Sequence, residues 1–300
     1  MHTHFFRKEF TLQARRHNLL LGRQTKIMGI LNLSPDSFSH DGISAKNKKN
    51  IPRIISIVQT FIHQGCDILD VGAESTRPGS VSISPAEEIK RLIPVICALS
   101  KKIKIPISVD TTKPLVAQHA LDNGASIINN IKGLQFNRSL FKMIGRYDAA
   151  VVLMHMRGTP DTMQKNIRYK NFLKEIILEL NQSIEKCLEI GIKSDRITID
   201  PGIGFGKIPL QNFELIHRLK DLQVLNCPVL VGPSRKSFIG WILEKDVSKR
   251  LMGTAAAVCA SILNGAHIVR VHDVGKMKDV ALTADAILNS GKIQNKTSVT

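Results

Sequence analysis

Ile105-Pro-Ile-Ser-Val-Asp-Thr-Thr-Lys-Pro-Leu-Val-Ala-Gln-His-Ala-Leu-Asp-Asn-Gly-Ala-Ser-Ile-Ile-Asn-Asn-Ile131 holds one full cycle of an alternation that runs through the chain. Ile105–Thr111 and Ser126–Ile131 are short, β-rich apolar runs, as expected of strands buried on both faces. Between them, Pro114–Asn123 opens on a proline, whose missing N–H costs nothing at a first helical position, and stops at Gly124. A strand, a crossover helix and a second strand make a parallel pair.

Outward from that unit, strands are expected at Ile27–Leu33, Asp67–Ala73, Ala149–His155, Ile197–Asp200, Val229–Ser234 and Ile268–Asp273. Helical patterns fall at Ile51–Gln64, Pro85–Lys101, Arg138–Arg146, Asn171–Ile190, Leu210–Leu219, Lys249–Asn264 and Lys276–Asn289. Pro85–Lys101 carries its own start signals: Ser84 as N-cap, Pro85, then Glu87 and Glu88 in the first turn. Eight such units predict a (β/α)8 TIM barrel spanning 26–290. Residues 1–25 read as an N-terminal β-hairpin of the same domain, with strands at Phe5–Leu12 and Asn18–Gly22, and 291–300 as a polar tail. The longest loops, Ser34–Asn50 and Glu74–Ser84, follow the first two barrel strands, where barrel enzymes carry lids.

Apolar residues make up 43% of the 300, enough for a barrel interior and a helical layer. The formal charge of +17, from 42 basic and 25 acidic side chains, calls for an anionic partner. One Trp and two Tyr leave little base-stacking surface, so a phosphorylated small molecule is preferred to nucleic acid. The five cysteines are widely spaced with no metal-binding pattern, reading as reduced thiols of a cytoplasmic protein. No apolar run spans a bilayer, and the basic N-terminus lacks the apolar core of a secretory signal.

The strand ends carry the chemistry. Asn32, Glu74, Asp110, Asn129, His155, Asp200, Ser234 and His272 place a polar group at the end of every strand, which a purely structural barrel does not need. Asp110, Asp200 and Asn129 supply acceptors that fit the donor edge of a heterocycle; paired carboxylates also serve acid–base work or a metal. Arg235, Lys236, Arg270 and His272 form a cationic side suited to phosphate or diphosphate.

Seven segments in order resemble the dihydropteroate synthase family: Met28–Ser39, Asp70–Gly79, Ile107–Thr111, Ile127–Asn130, Ile199–Lys207, Gly232–Lys236 and Arg270–Asp273. The resemblance covers about Lys26 to Val274. It implies a transferase that condenses 6-hydroxymethyl-7,8-dihydropterin diphosphate with 4-aminobenzoate, by an SN1-like displacement, to give 7,8-dihydropteroate and diphosphate in folate biosynthesis. It further implies that Asp110, Asn129, Asp200 and Lys236 bind the pterin. Asn32, Arg270 and His272 would hold the diphosphate, with Mg2+ on Asn32. Thr76, Arg77, Pro78, Ser234, Asp36 and Phe38 would surround the 4-aminobenzoate. Lys236, Arg270, His272 and Asp110 are the expected catalytic set, sulfonamides the expected inhibitors, and a homodimer the expected assembly. Asn130, Ser34, His40 and Pro233 depart from the family's usual residues without removing any of these groups.

Plainer readings stand beside these. Gly202–Lys207 fits neither nucleotide-loop spacing and reads as a tight turn. Ser234 could cap a helix starting near Lys236; His155 and Glu74 could be a pocket wall and a loop tether. The rivals are a corrinoid-type pterin methyltransferase, which would not need Ser234-Arg235-Lys236 or Arg77, and a non-catalytic paralogue, which should have lost some of Asn32, Arg77, Lys236 and His272. The chain retains them all.

Overall fold

The computed structural model describes residues 7–33, 50–74, 82–131, 137–158, 162–164 and 167–290. Two antiparallel strands, β1 (Phe10–Ala14) and β2 (His17–Leu21), precede eight parallel ones: β3 (Lys26–Asn32), β4 (Ile68–Gly72), β5 (Ile107–Asp110), β6 (Ile127–Asn130), β7 (Ala150–Met154), β8 (Ile197–Asp200), β9 (Leu230–Val231) and β10 (Ile268–Val271). The parallel strands run in the order β8-β7-β6-β5-β4-β3-β10-β9, and a parallel bridge between Ile199 and Val229 joins β8 to β9 and closes the barrel. Around it lie α1 (Ile51–His63), α2 (Pro85–Ser100), α3 (Pro114–Asp122), α4 (Arg138–Arg146), α5 (Phe172–Glu189), α6 (Pro209–His217), α7 (Ser237–Leu243), α8 (Leu251–Leu263) and α9 (Val274–Leu288). The predicted barrel and hairpin are both present. β9 is the element most shortened from expectation, because Gly232-Pro233 follows it and a proline donates nothing to a sheet.

Strand alternation divides the apolar residues into two sets. Ile27, Leu31, Leu69, Val71, Val109, Ile128, Val151, Leu153, Ile199 and Val269 join the outer core under the helices. Met28, Ile68, Ile127, Val152, Leu230 and Ile268 form a second cluster with Leu12, Ala14 and Leu21 of the hairpin. The hairpin therefore plugs the N-terminal end of the barrel, leaving chemistry to the other. Its turn residue Arg15 adopts a left-handed φ of 55°, unusual for a side-chain-bearing residue. The turn is held by Arg15 N–H donating to Asp148 O at 2.9 Å and its guanidinium to Leu121 O at 2.7 Å and Ala125 O at 2.9 Å.

A buried ion pair ties the N-terminal extension to the last helix. Arg7 meets Asp285 at 2.7 Å and also donates to Gly22 O, Thr25 Oγ1 and Ala266 O. Asp285 in turn accepts from Thr25 N–H and O–H. These bonds offset the desolvation that an isolated buried pair would suffer.

Candidate active site

The pairing register aligns the C-terminal strand ends. Asn32 pairs with Gly72, Gly72 with Asp110, and Asp110 with Asn129, making one transverse row; Asp200 pairs with Met154. Arg270 reaches into this row from β10. Its Nε donates to Asp70 Oδ2 at 2.6 Å and its Nη2 to Asp110 Oδ2 at 3.0 Å, while Asn129 Nδ2 donates to Asp70 Oδ2 at 3.2 Å. Four strands thus converge on one charged knot. Lys236, just after β9, lies with its Nζ 3.8 Å from the centre of the Phe205 ring. Asp200 Oδ1 accepts Gly202 N–H at 2.7 Å.

Burial sets the charges. It lifts the Asp110 carboxyl to about 7 against the pull of Arg270, with Asp70 adding to the rise. Burial also lifts Asp200 to about 6, opposed by Gly202 N–H and Lys236. Lys236 is pushed down to about 8 by burial and then by Arg270. His272 falls to about 3 through burial and the charge of Arg235. Its geometry agrees with a neutral ring: Ser234 Oγ accepts the His272 backbone N–H at 3.3 Å, so the hydroxyl proton is free to point at Nδ1, 3.0 Å away. When the hydroxyl donates to Nδ1, the neutral ring carries its proton on Nε2, where it can serve as a donor.

The cationic side is narrower than the sequence suggests. Arg235 forms a two-pronged pair with Asp273 at 2.8 and 3.1 Å, its backbone N–H donates to Thr254 Oγ1, and its φ is 58°. It braces the turn before α7 instead of supplying a loose charge. Ser234 does not cap that helix, whose N-cap Lys236 has no side-chain cap bond; its hydroxyl serves His272. Glu74 is a tether, accepting Ile83 N–H at 3.1 Å and pairing with Lys113 at 2.6 Å. His155 is fully buried against Lys207 and Glu179. Asn130 is buried on β6, next to inward-facing Asn129 and so on the opposite face. Asp36, Phe38, Thr76, Arg77 and Pro78, with Ser34 and His40, lie outside the described residues.

Sequence reasoning missed two groups at the mouth. Asp70 is completely buried, and a carboxylate inside the otherwise apolar run Ile68–Gly72 was the signal. Phe205 belongs with Ile131, Met154, Met156 and Met163 to a small apolar cluster separate from the main core. A carboxylate and amide edge beside an apolar wall suits a flat heterocycle with N–H donors. A second cleft, of about 680 Å³, opens among Arg15, Lys101, Asp122, Tyr147 and Asp148, beside the hairpin turn; none of the converging groups borders it.

A closed parallel barrel with buried carboxylates, a basic rim and an apolar wall at its C-terminal mouth defines a barrel enzyme built around a small polar ring. The family profile described as "Pterin binding enzyme" matches residues 28–272. A dihydropteroate synthase of Synechocystis sp. is 42% identical over 89% of this chain and 91% of its own. The Yersinia pestis dihydropteroate synthase, solved with a sulfonamide drug, superposes with a TM-score of 0.85 at 34% identity, covering 94% of this chain and 99% of that one. The Xanthomonas albilineans dihydropteroate synthase, solved with 4-aminobenzoic acid, gives 0.84 at 32%, covering 93% and 98%. The chain belongs to the dihydropteroate synthase family of pterin-binding enzymes, transferases of folate synthesis.

Proposed function

We propose that this protein joins 6-hydroxymethyl-7,8-dihydropterin diphosphate to 4-aminobenzoate, releasing diphosphate and 7,8-dihydropteroate. The observation that carries the reading is the convergence of Asp110, Asn129 and Arg270 with Asp70 at one mouth that Asp200 and Lys236 also border. Asp110, Asn129 and Asp200 accept the pterin's ring N–H and amino donors, and Lys236 donates to its carbonyl and ring nitrogen. The C–O bond to diphosphate breaks with its electron pair leaving on the diphosphate. The electron-rich pterin delocalises the methylene cation, and the aminobenzoate nitrogen attacks it and gives up a proton. Arg270 and the His272 Nε2–H stabilise the departing charge; a well-placed donor is worth about 2.7–4 kcal/mol in such a role.

Mg2+ fits this corner as a substrate-borne ion. A Cβ on Gly72 would stand 3.7 Å from Asn32 Oδ1 and 3.9 Å from Asp110 Oδ2, so both oxygens border the space above that glycine. No cluster of three His, Cys, Asp or Glu able to hold a metal exists among the described residues. A single amide oxygen suits magnesium, which takes few protein ligands alongside phosphate and water. When bound, the ion would neutralise diphosphate charge, with Asn32 as its protein ligand.

Thr76, Arg77, Pro78, Asp36, Phe38 and Ser234 are proposed to receive 4-aminobenzoate and shield the cation from water, and sulfonamides to compete there. No described helix is long and apolar enough to cross a membrane, and the described cysteines are all unpaired, in keeping with the cytoplasm. Exposed Trp241, Ile242, Val247 and Met252 on and around α7 and α8 offer an apolar face for a homodimer. The purified protein should release diphosphate only when 4-aminobenzoate is added, in step with dihydropteroate. No release, or release independent of the amine, overturns the reading.

A further inference from the structure

The turn 202–207 carries Phe205 to Lys236, and every carbonyl along its second half is held by a side chain. Gln164 Nε2 donates to Gly204 O at 3.1 Å, Lys207 Nζ to Phe205 O at 2.9 Å, and Tyr169 O–H to Gly206 O at 2.9 Å. Asn212 Oδ1 accepts Gly204 N–H at 2.5 Å. Packing leaves no slack: at Gly202, with φ 73°, a Cβ would lie 1.9 Å from His155 O, and at Gly204 one would lie 3.0 Å from Lys236 Cδ.

Lys207 is the unusual member. It is 2% exposed, and its Nζ sits 3.1 Å from His155 Nδ1. While Lys207 is an ammonium it has only donors, so Nδ1 accepts from it and the proton of the neutral ring lies on Nε2. That nitrogen faces Glu179 Oε2 at 3.2 Å, a contact more electrostatic than well aligned, and Glu179 is itself paired with Arg157. A buried lysine is costly unless something uses it.

We infer that Lys207, oriented by His155 and Glu179, is a positioning residue that fixes Phe205 beneath Lys236 and so sets the pterin-facing lysine for the reaction. The inference rests on the function proposed above. Burial draws the Lys207 ammonium down to about 7; Asp200 and Glu179 favour its charge, and Lys236 and Arg157 oppose it. Methionine keeps the length of the side chain and removes its donors.

A double-mutant cycle tests this. Phe205→Ala and Lys207→Met should each lower kcat/KM at least tenfold, and the double variant should be within about threefold of Phe205→Ala alone, because Lys207 acts through Phe205. Effects that multiply, or a Lys207→Met protein with wild-type kcat/KM, overturn the inference. Should Lys207→Met not fold, Tyr169→Phe, which removes the donor to Gly206 O, takes its place in the cycle under the same criteria. A wild type without amine-dependent diphosphate release defeats the functional reading alone. The turn is then read by 19F NMR of 4-fluorophenylalanine at position 205: a resonance shifted or split by Lys207→Met supports the inference, and an unchanged one overturns it.

Discussion

At the scale of residues, the mouth holds ionisable groups away from their ordinary values, and that makes pH the sharpest probe. Pterin binding as proposed needs Asp110 and Asp200 ionised and Lys236 protonated. With those groups near 7, 6 and 8, kcat/KM should fall below pH 7, steepen below 6, and fall again above 8. Steady-state profiles of the free enzyme test this, and a flat profile from pH 5 to 9 would contradict it. The stability consequence has the opposite sign from most carboxylates. Folded Asp110 holds its proton more tightly than the unfolded chain, so its contribution is favourable at low pH and is lost as pH rises from about 4 to about 7. Asp110→Asn should therefore raise Tm at pH 8 while cutting turnover by about a hundredfold or more, a stability–activity trade measured by calorimetry beside the assay. Asp200→Ala and Lys236→Ala should cut turnover by similar amounts.

At the scale of elements, the barrel depends on segments that never touch the site. Removing Asp285 from its pair leaves the Arg7 charge buried, a loss that typically costs about 3–5 kcal/mol. Asp285→Ala should lower the denaturant midpoint accordingly yet leave kcat per folded molecule within about twofold, because the Asp285 carboxylate bonds to Arg7 and Thr25 and to none of the groups at the mouth. The helices were legible in detail. Ser84 does accept Glu87 N–H, Pro85 opens α2, and Arg138–Arg146 matches the expected bounds. The ends of β9 and the hairpin were less legible. Leu230–Val231 is shorter than its apolar run because sheet pairing needs a partner's hydrogen bonds as well as apolar side chains. Among the described residues the first hairpin strand runs from Phe10 to Ala14, two residues past its expected end at Leu12, where it meets the barrel floor; Phe5 lies outside the described residues.

At the scale of the whole molecule, the exposed apolar residues around α7 and α8 set an expectation for assembly. Ile242, 57% exposed, and Met252, 77% exposed, are poor surface residues for a monomer. The wild type should sediment as a dimer, and Ile242→Asp with Met252→Glu as a monomer; a monomeric wild type at micromolar concentration would refute this. The net charge of +17 should also make substrate capture depend on ionic strength, since a basic molecule draws in a diphosphate from a distance.

The sequence by itself determined the alternation of strands and helices, the polar residue at each strand end and the segments shared with the dihydropteroate synthases, because periodicity, helix starts and motif order are local in the chain. Only the tertiary structure decided which polar groups meet. Arg235 and Arg270 look alike in sequence, yet one braces a turn against Asp273 and the other ties Asp70 to Asp110. Asp70, Phe205 and Lys207 acquired their places in the same way. Barrel closure sets strands far apart in sequence around one mouth, and contacts among their side chains depend on register and burial, which no stretch of chain specifies alone.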